Sequence, residues 1–195
     1  MMTDDPLAGR KIILASQSPR RQYLLKELGF NFEVTEIDVR EVYPAGLSAS
    51  EIAVYLAELK SSAFEDSGLN ENSILITADT IVVLGQEILG KPTNYIEAYD
   101  MLQKLSGRKH DVITAVCIRS TKKKRVFHVL SSVCFKELSR REIEYYIDHY
   151  KPYDKAGGYG IQEWIGYIGI NKIEGSFFNV MGLPVKELYE ELLEF

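Results

Sequence analysis

The chain has 195 residues, 46% of them hydrophobic, and a formal net charge of −5. That length suits one domain, or one domain of two lobes. The acidic balance argues against a basic face for polymeric nucleic acid, and no apolar run is long enough to span a bilayer.

The N-terminus, Met1-Met2-Thr3-Asp4-Asp5, is acidic and lacks a signal-peptide core, so the expectation is a cytoplasmic protein. Cys117 and Cys134 sit inside apolar stretches. They could pair, but in a reducing compartment they behave as small core residues. Three histidines, His110, His128 and His149, make a zinc site of His/Cys type a poor expectation.

The first element is an apolar run, Ile12-Ile13-Leu14, feeding a polar turn, Ala15-Ser16-Gln17-Ser18, that opens a helix over 19–28. Ser18 caps that helix, and Pro19 fits its first turn, where no backbone donor is needed. Arg20 and Arg21 follow. Two hydroxyls, free N–H groups at a helix start and two guanidinium groups thus converge, which is how a protein holds phosphate. Taken alone, the stretch is more simply a capped helix with solvated arginines. Leu24, Leu25 and Leu28 form its apolar stripe, and Gly29 stops it.

Residues 32–39 read as a strand, with Asp38 and Glu41 at its end. Ser48 and Glu51 have capping-box spacing and start a helix whose inner face is Ile52, Tyr55, Leu56 and Leu59. Lys60 lies near its far end. Residues 74–84 are apolar on both faces, as a central strand should be, yet Asp79 sits in the middle. An unpaired buried carboxylate costs several kcal/mol, so Asp79 must meet a cation, a metal ion or several donors. A strand residue exposed on one face would escape that cost, and the stretch alone leaves both readings open.

Residues 85–89 resemble a hairpin return, and Gly90-Lys91-Pro92 is a rigid loop projecting one lysine, by itself an ordinary surface turn. A helix follows from Asn94 to Leu105, ended by Ser106-Gly107. Residues 111–120 and 125–138 read as paired strands, joined by the basic tip Thr121-Lys122-Lys123-Lys124-Arg125. No aromatics interleave that tip, so it reads as a solvated hairpin end. Ser139 and Glu142 cap the next helix, which carries Ile143, Tyr146, Ile147 and Tyr150.

Residues 154–162, Asp-Lys-Ala-Gly-Gly-Tyr-Gly-Ile-Gln, place three glycines in four positions. Such glycines permit close backbone approach. A loop needing positive φ explains them, but not the flanking Asp154, Lys155 and Gln162. Residues 164–173 alternate like another strand pair, and 175–184 read as a turn into a last helix begun by Pro184.

Five ordered motifs now stand together: Ser16-Gln17-Ser18-Pro19-Arg20-Arg21, Ala78-Asp79-Thr80, Gly90-Lys91-Pro92, Leu105-Ser106-Gly107, and Asp154 through Gln162, with Gly182-Leu183-Pro184 closing the series. In these the chain resembles the Maf family of nucleoside triphosphate pyrophosphatases, from about residue 12 to 184. The resemblance implies an α/β fold like that of the inosine triphosphate pyrophosphatases. Its expected form is one domain over 1–195, an elongated, curved mixed sheet flanked by helices, with two lobes and a central cleft.

The resemblance also implies a reaction: hydrolysis of dTTP and UTP to the monophosphate and pyrophosphate, as nucleotide-pool housecleaning. Asp79 stands at the family's proton-acceptor position, and Arg20, Thr80 and Gln162 at its specificity positions. Ser16, Ser18, Arg21, Lys60 and Lys91 are candidates for phosphate binding, and Asp79 with Glu41 for a divalent metal, Mg²⁺ or Mn²⁺. Glu41 is placed by spacing alone. Asp154 and Lys155 match further functional positions. The partner implied is a small nucleotide, with no polymeric nucleic acid and no membrane, and the family leaves room for a homodimer. The alternatives are a 7-methyl-GTP pyrophosphatase and a non-catalytic septum-formation regulator that binds nucleotide.

Overall fold

The strand β3 (Ser73–Leu84) is apolar on both faces and buried along its length except at Thr80 and Leu84. A strand of this kind needs neighbours on both edges. The computed structural model, described for residue 7 and residues 9–195, supplies them in a seven-stranded mixed sheet. Its order is β2-β1-β3-β5-β6-β7, with the short β4 (Glu87–Leu89) folding back antiparallel on the end of β3. β1 (Lys11–Ala15) runs parallel to β3, with Ile12 opposite Ile74, and parallel to β2 (Phe32–Thr35), with Ile12 opposite Phe32. Parallel neighbours need crossover connections. The helices α1 (Pro19–Glu27) and α2 (Ala49–Ala63) provide them. The acidic N-terminal stretch 1–5 lies outside the described residues.

The chain groups into two compact units. One comprises the described residues up to Asp79 with Thr114–His128 and Gly182–Phe195; the other comprises Thr80–Ile113 and Val129–Met181. In the first, Ile13, Ala15 and Leu75 form a core against which Ile37, Phe64 and Leu69 pack. Ser48 and Glu51 make the expected capping box of α2, a device worth about 1 kcal/mol. In the last helix, α7 (Val185–Leu193), Tyr189 stacks on Phe30 at 6.0 Å. The basic tip is spent on neighbouring acids: Lys122 pairs with Glu71, Lys124 with Glu58, and Arg125 with Glu191 and Glu194. That pairing matches the reading of a solvated hairpin end.

In the second unit, α3 (Tyr95–Leu105) is capped by Asn94, and α4 (Arg140–Tyr150) by a Ser139–Glu142 capping box. β5 (Lys109–Arg119) and β6 (Lys124–Phe135) are sheet neighbours, as the sequence predicts. Cys117 and Cys134 are both free. Asn179 is fully buried and donates through Nδ2 to the Val112 carbonyl and to Ser131 Oγ. Among the described residues no helix is long and apolar enough to cross a membrane.

Three elements differ from the sequence reading. The strand over 32–39 stops at Thr35, because β2 is the sheet's edge and its one neighbour, β1, ends at Ala15 opposite Thr35. The stretch 164–173 is a helix α5 (Trp164–Gly169) followed by one strand, β7 (Ile170–Glu174), antiparallel to β6. The Glu163 carbonyl accepts the N–H groups of Gly166 and Tyr167, which turns the chain helically, and Ile165 and Gly169 then bury one face four residues apart. The turn over 175–184 contains one short helix, α6 (Phe177–Met181), before α7 (Val185–Leu193).

One buried group makes stability depend on pH. His110 on β5 is 2% exposed, and its Nε2 lies 2.7 Å from the Tyr159 hydroxyl. Its Nδ1 is buried with no hydrogen-bond partner among the described residues. Burial pushes the imidazole down to about 4, against a weaker opposing pull from Asp111. The folded protein therefore holds His110 neutral where the unfolded chain, titrating near 6.5, is already protonated. This contribution is fully present above pH ~6.5, is lost as pH falls toward about 4, and amounts to on the order of 3 kcal/mol. Urea denaturation at pH 7 and pH 4.5 should show that loss, and a His110→Gln variant should lack this component.

Candidate functional site

The first cluster is built where β1 hands over to α1. Ser16 Oγ accepts the Ser18 N–H at 3.2 Å, and Ser18 Oγ accepts the Arg21 N–H at 3.5 Å. The two hydroxyls thereby hold the turn, and Gln22 Nε2 donates to the Ser16 carbonyl. Arg21 then reaches away from the turn. Its Nε donates to the Gly182 carbonyl and its Nη1 to the Ala78 carbonyl, both at 2.8 Å. Burial lowers the Arg21 pKa, Asp79 and Glu41 pull it up, and Arg20 pushes it down. These four charges thus share one electrostatic neighbourhood.

Asp79 is 8% exposed, and the cation its burial demands is Lys60. Lys60 Nζ lies 2.5 Å from Asp79 Oδ1 and 2.8 Å from Glu41 Oε1. Glu41, placed by spacing alone in the sequence, therefore meets the same ammonium as Asp79. Helix α2 makes this possible. It packs Ile52, Ala53, Leu56 and Ala57 inward, and Thr77 on β3 donates to the Ala57 carbonyl at 2.7 Å. That contact fixes the end of α2, which carries Lys60, against the part of β3 that carries Asp79. Thr80 follows on β3 and is half-buried.

The second cluster joins two motifs that lie far apart in sequence. The Gly157 N–H donates to the Gly90 carbonyl at 2.9 Å, tying the Gly-Lys-Pro loop to the glycine-rich segment. Gly157 has φ +71°, and a Cβ there would meet Val82 at 3.0 Å, so this close approach requires glycine. Lys91 is exposed on its loop. Lys155, by contrast, is 7% exposed, and its ammonium is committed to Asp154 Oδ1 at 2.7 Å and Glu163 Oε1 at 3.1 Å. Gln162 is half-buried, and its Oε1 is a buried acceptor with no hydrogen-bond partner among the described residues. Such an atom normally costs 1–3 kcal/mol and calls for a partner (about one kcal/mol at the low end).

Two residues of this cluster escape sequence reading. Glu163 accepts a hydrogen bond from the Tyr146 hydroxyl, and the Tyr146 oxygen accepts the Gly160 N–H at 2.9 Å. Tyr146 reads as one more core residue of α4, and Glu163 lies between the glycine-rich segment and a stretch read as a strand pair, where nothing in the sequence marks it but its adjacency to Gln162.

The chain is a mixed α/β protein whose first unit carries an acid–lysine–acid centre and whose second carries the glycine-rich segment with Gln162. The same fold occurs in a HAM1 protein from Coxiella burnetii, with a TM-score of 0.50 at 16% identity over 95% of this chain and 100% of that one. The family model described as Maf-like protein matches residues 11–195, and the chain belongs to that family. A dTTP/UTP pyrophosphatase of Porphyromonas gingivalis strain W83 is 52% identical over 193 residues, covering 98% of this chain and 97% of the relative. A dTTP/UTP pyrophosphatase of Parabacteroides distasonis is 54% identical over 186 residues, covering 95% and 96%.

Proposed function

We propose that the protein hydrolyses dTTP and UTP to the nucleoside monophosphate and pyrophosphate. The observation that carries this reading is the meeting of Asp79 and Glu41 on Lys60 Nζ, in one electrostatic neighbourhood with Arg21 and Arg20. A water oxygen attacks the α-phosphorus, the bond to the bridging α–β oxygen breaks, and pyrophosphate leaves. Asp79 takes the proton from that water. Lys60, Arg20, Lys91 and the helix start at Ser16 and Ser18 offset the charge that develops on the phosphates. Arg21 supports this set as a fixed positive charge whose Nε and Nη1 donate to backbone carbonyls.

A divalent cation fits the donor set. Two carboxylates converge on one cationic centre, and among the described residues no third acidic, His or Cys ligand joins them. Hard cations such as Mg²⁺ are held in this way, by one or two carboxylates with phosphate oxygens and water completing the shell. Asp79 and Glu41 would hold Mg²⁺ or Mn²⁺, which when bound neutralises phosphate charge.

Base choice falls to Gln162, with Arg20 and Thr80 as the companion specificity positions and Asp154 beside the loop. A uracil or thymine ring offers an N3–H donor, and the Gln162 Oε1 is an acceptor awaiting one. The test is product analysis by anion exchange, using dTTP, UTP, CTP, GTP and 7-methyl-GTP with Mg²⁺ or Mn²⁺. Monophosphate and pyrophosphate should form from dTTP and UTP, and EDTA should stop the reaction. Cleavage mainly of 7-methyl-GTP would keep the reaction class and overturn the role of Gln162. No cleavage of any nucleotide by folded protein would overturn the enzymatic reading.

A further inference from the structure

A glutamine amide is ambiguous as a reader of bases. Turned one way it presents an acceptor to the uracil N3–H; turned by 180° it presents a donor to the cytosine N3. Discrimination of uracil from cytosine by Gln162 therefore needs something that fixes which end of the amide points where. The structure places such a group next door.

Gly160 has no Cβ, and its open face is covered by two side chains. A Cβ built there would lie 3.0 Å from Gln162 Nε2, 2.8 Å from the Glu163 carboxyl carbon and 3.0 Å from Glu163 Oε2. The amide's NH₂ end and the carboxylate thus lie on the same side of Gly160, both within 3.0 Å of one point. Flipping the amide would bring its carbonyl oxygen toward a negative carboxylate, an arrangement like charges disfavour. The carboxylate itself cannot turn away freely. Tyr146 donates to its Oε2, and Lys155 holds its Oε1 at 3.1 Å. Tyr146 is in turn anchored by the Gly160 N–H at 2.9 Å. Burial and the Glu163 charge raise the Tyr146 phenol far above its usual range, so it remains a donor.

We propose that Glu163, held by Tyr146 and Lys155, is a positioning residue that sets the amide orientation of Gln162 and thereby the preference for uracil over cytosine. The proposal rests on the reading of Gln162 as the base reader. It adds to that reading a residue that touches no substrate and acts through its neighbour.

The test compares kcat/KM for UTP and CTP, which share sugar and phosphates and differ only in the base edge. Glu163→Gln removes the charge at constant shape. It should lower the UTP:CTP ratio by about tenfold, through KM, as CTP gains on UTP. Tyr146→Phe, which removes one of the two groups that hold the carboxylate, should lower the ratio in the same direction and serves as the second variant if the first does not fold. Gln162→Ala is measured alongside. A collapsed ratio in Gln162→Ala with a wild-type ratio in both other variants would overturn the positioning role and leave the base reader standing. Equal loss for UTP and CTP in Glu163→Gln and Tyr146→Phe would reduce both residues to structural support and overturn the proposal. An unchanged ratio in Gln162→Ala would overturn the base reader and the positioning role together.

Discussion

Replacing Asp79 with asparagine should lower kcat for UTP by about a thousandfold or more and leave the fold intact. The size of the expected loss follows from the position. Asp79 is the buried carboxylate of β3, and it meets Lys60 at 2.5 Å in the same neighbourhood as Arg21. A proton acceptor and charge centre at that point contributes to the transition state through both proton transfer and electrostatics, worth about 10²–10⁴-fold for the former alone. Asparagine keeps the shape and one acceptor oxygen for Lys60. Lys60 also retains Glu41 at 2.8 Å, so its charge is not left buried and alone. The stability cost should therefore stay near 1–2 kcal/mol (about one or two hydrogen bonds' worth), a small shift in urea midpoint. Turnover of the variant at the wild-type rate would remove Asp79 from the mechanism. A variant that unfolds instead would make Asp79 a structural residue first.

The elements that sequence reading places correctly are those with strong local grammar. Ser18, Ser48, Asn94 and Ser139 all cap helices, because capping is decided within four residues. The two-faced apolar run of β3 announced a central strand, but left open whether Asp79 within it is buried against a partner or exposed on one face. Lys60 is that partner, nineteen residues upstream on α2, and only the packing of α2 against β3 reveals it. The failures have the same physical origin. Trp164–Gly169 alternates in sequence like a strand, yet the hydrogen bonds accepted by the Glu163 carbonyl turn it into a helix. Lys155 matches a further functional position, and the burial of its ammonium between Asp154 and Glu163 is a pairing that the sequence does not reveal. Tyr146 and Glu163 are invisible as a pair because a hydrogen bond across seventeen residues leaves no periodic trace.

Arg21 separates a structural from a substrate role most sharply, and its replacement by alanine should cost about 3–5 kcal/mol of stability. The guanidinium spans two carbonyls from distant parts of the chain: Ala78, next to Asp79 on β3, and Gly182, in the turn that leads to α7. Hydrogen bonds from a charged donor contribute about 1.5–3 kcal/mol each, and their loss leaves both carbonyls without this donor. Arg21→Lys should recover only part of the loss. A single ammonium carries the charge but lacks the rigid fork that reaches both acceptors. Urea denaturation of the wild type and both variants measures this directly, with kcat/KM for UTP read in parallel. If Arg21 served only to hold phosphate, Arg21→Ala would raise KM and leave the urea midpoint within about 0.5 kcal/mol of wild type, the usual range for a surface substitution. A large loss of stability in both variants, with Lys intermediate, would assign Arg21 to the frame that holds Asp79 in place.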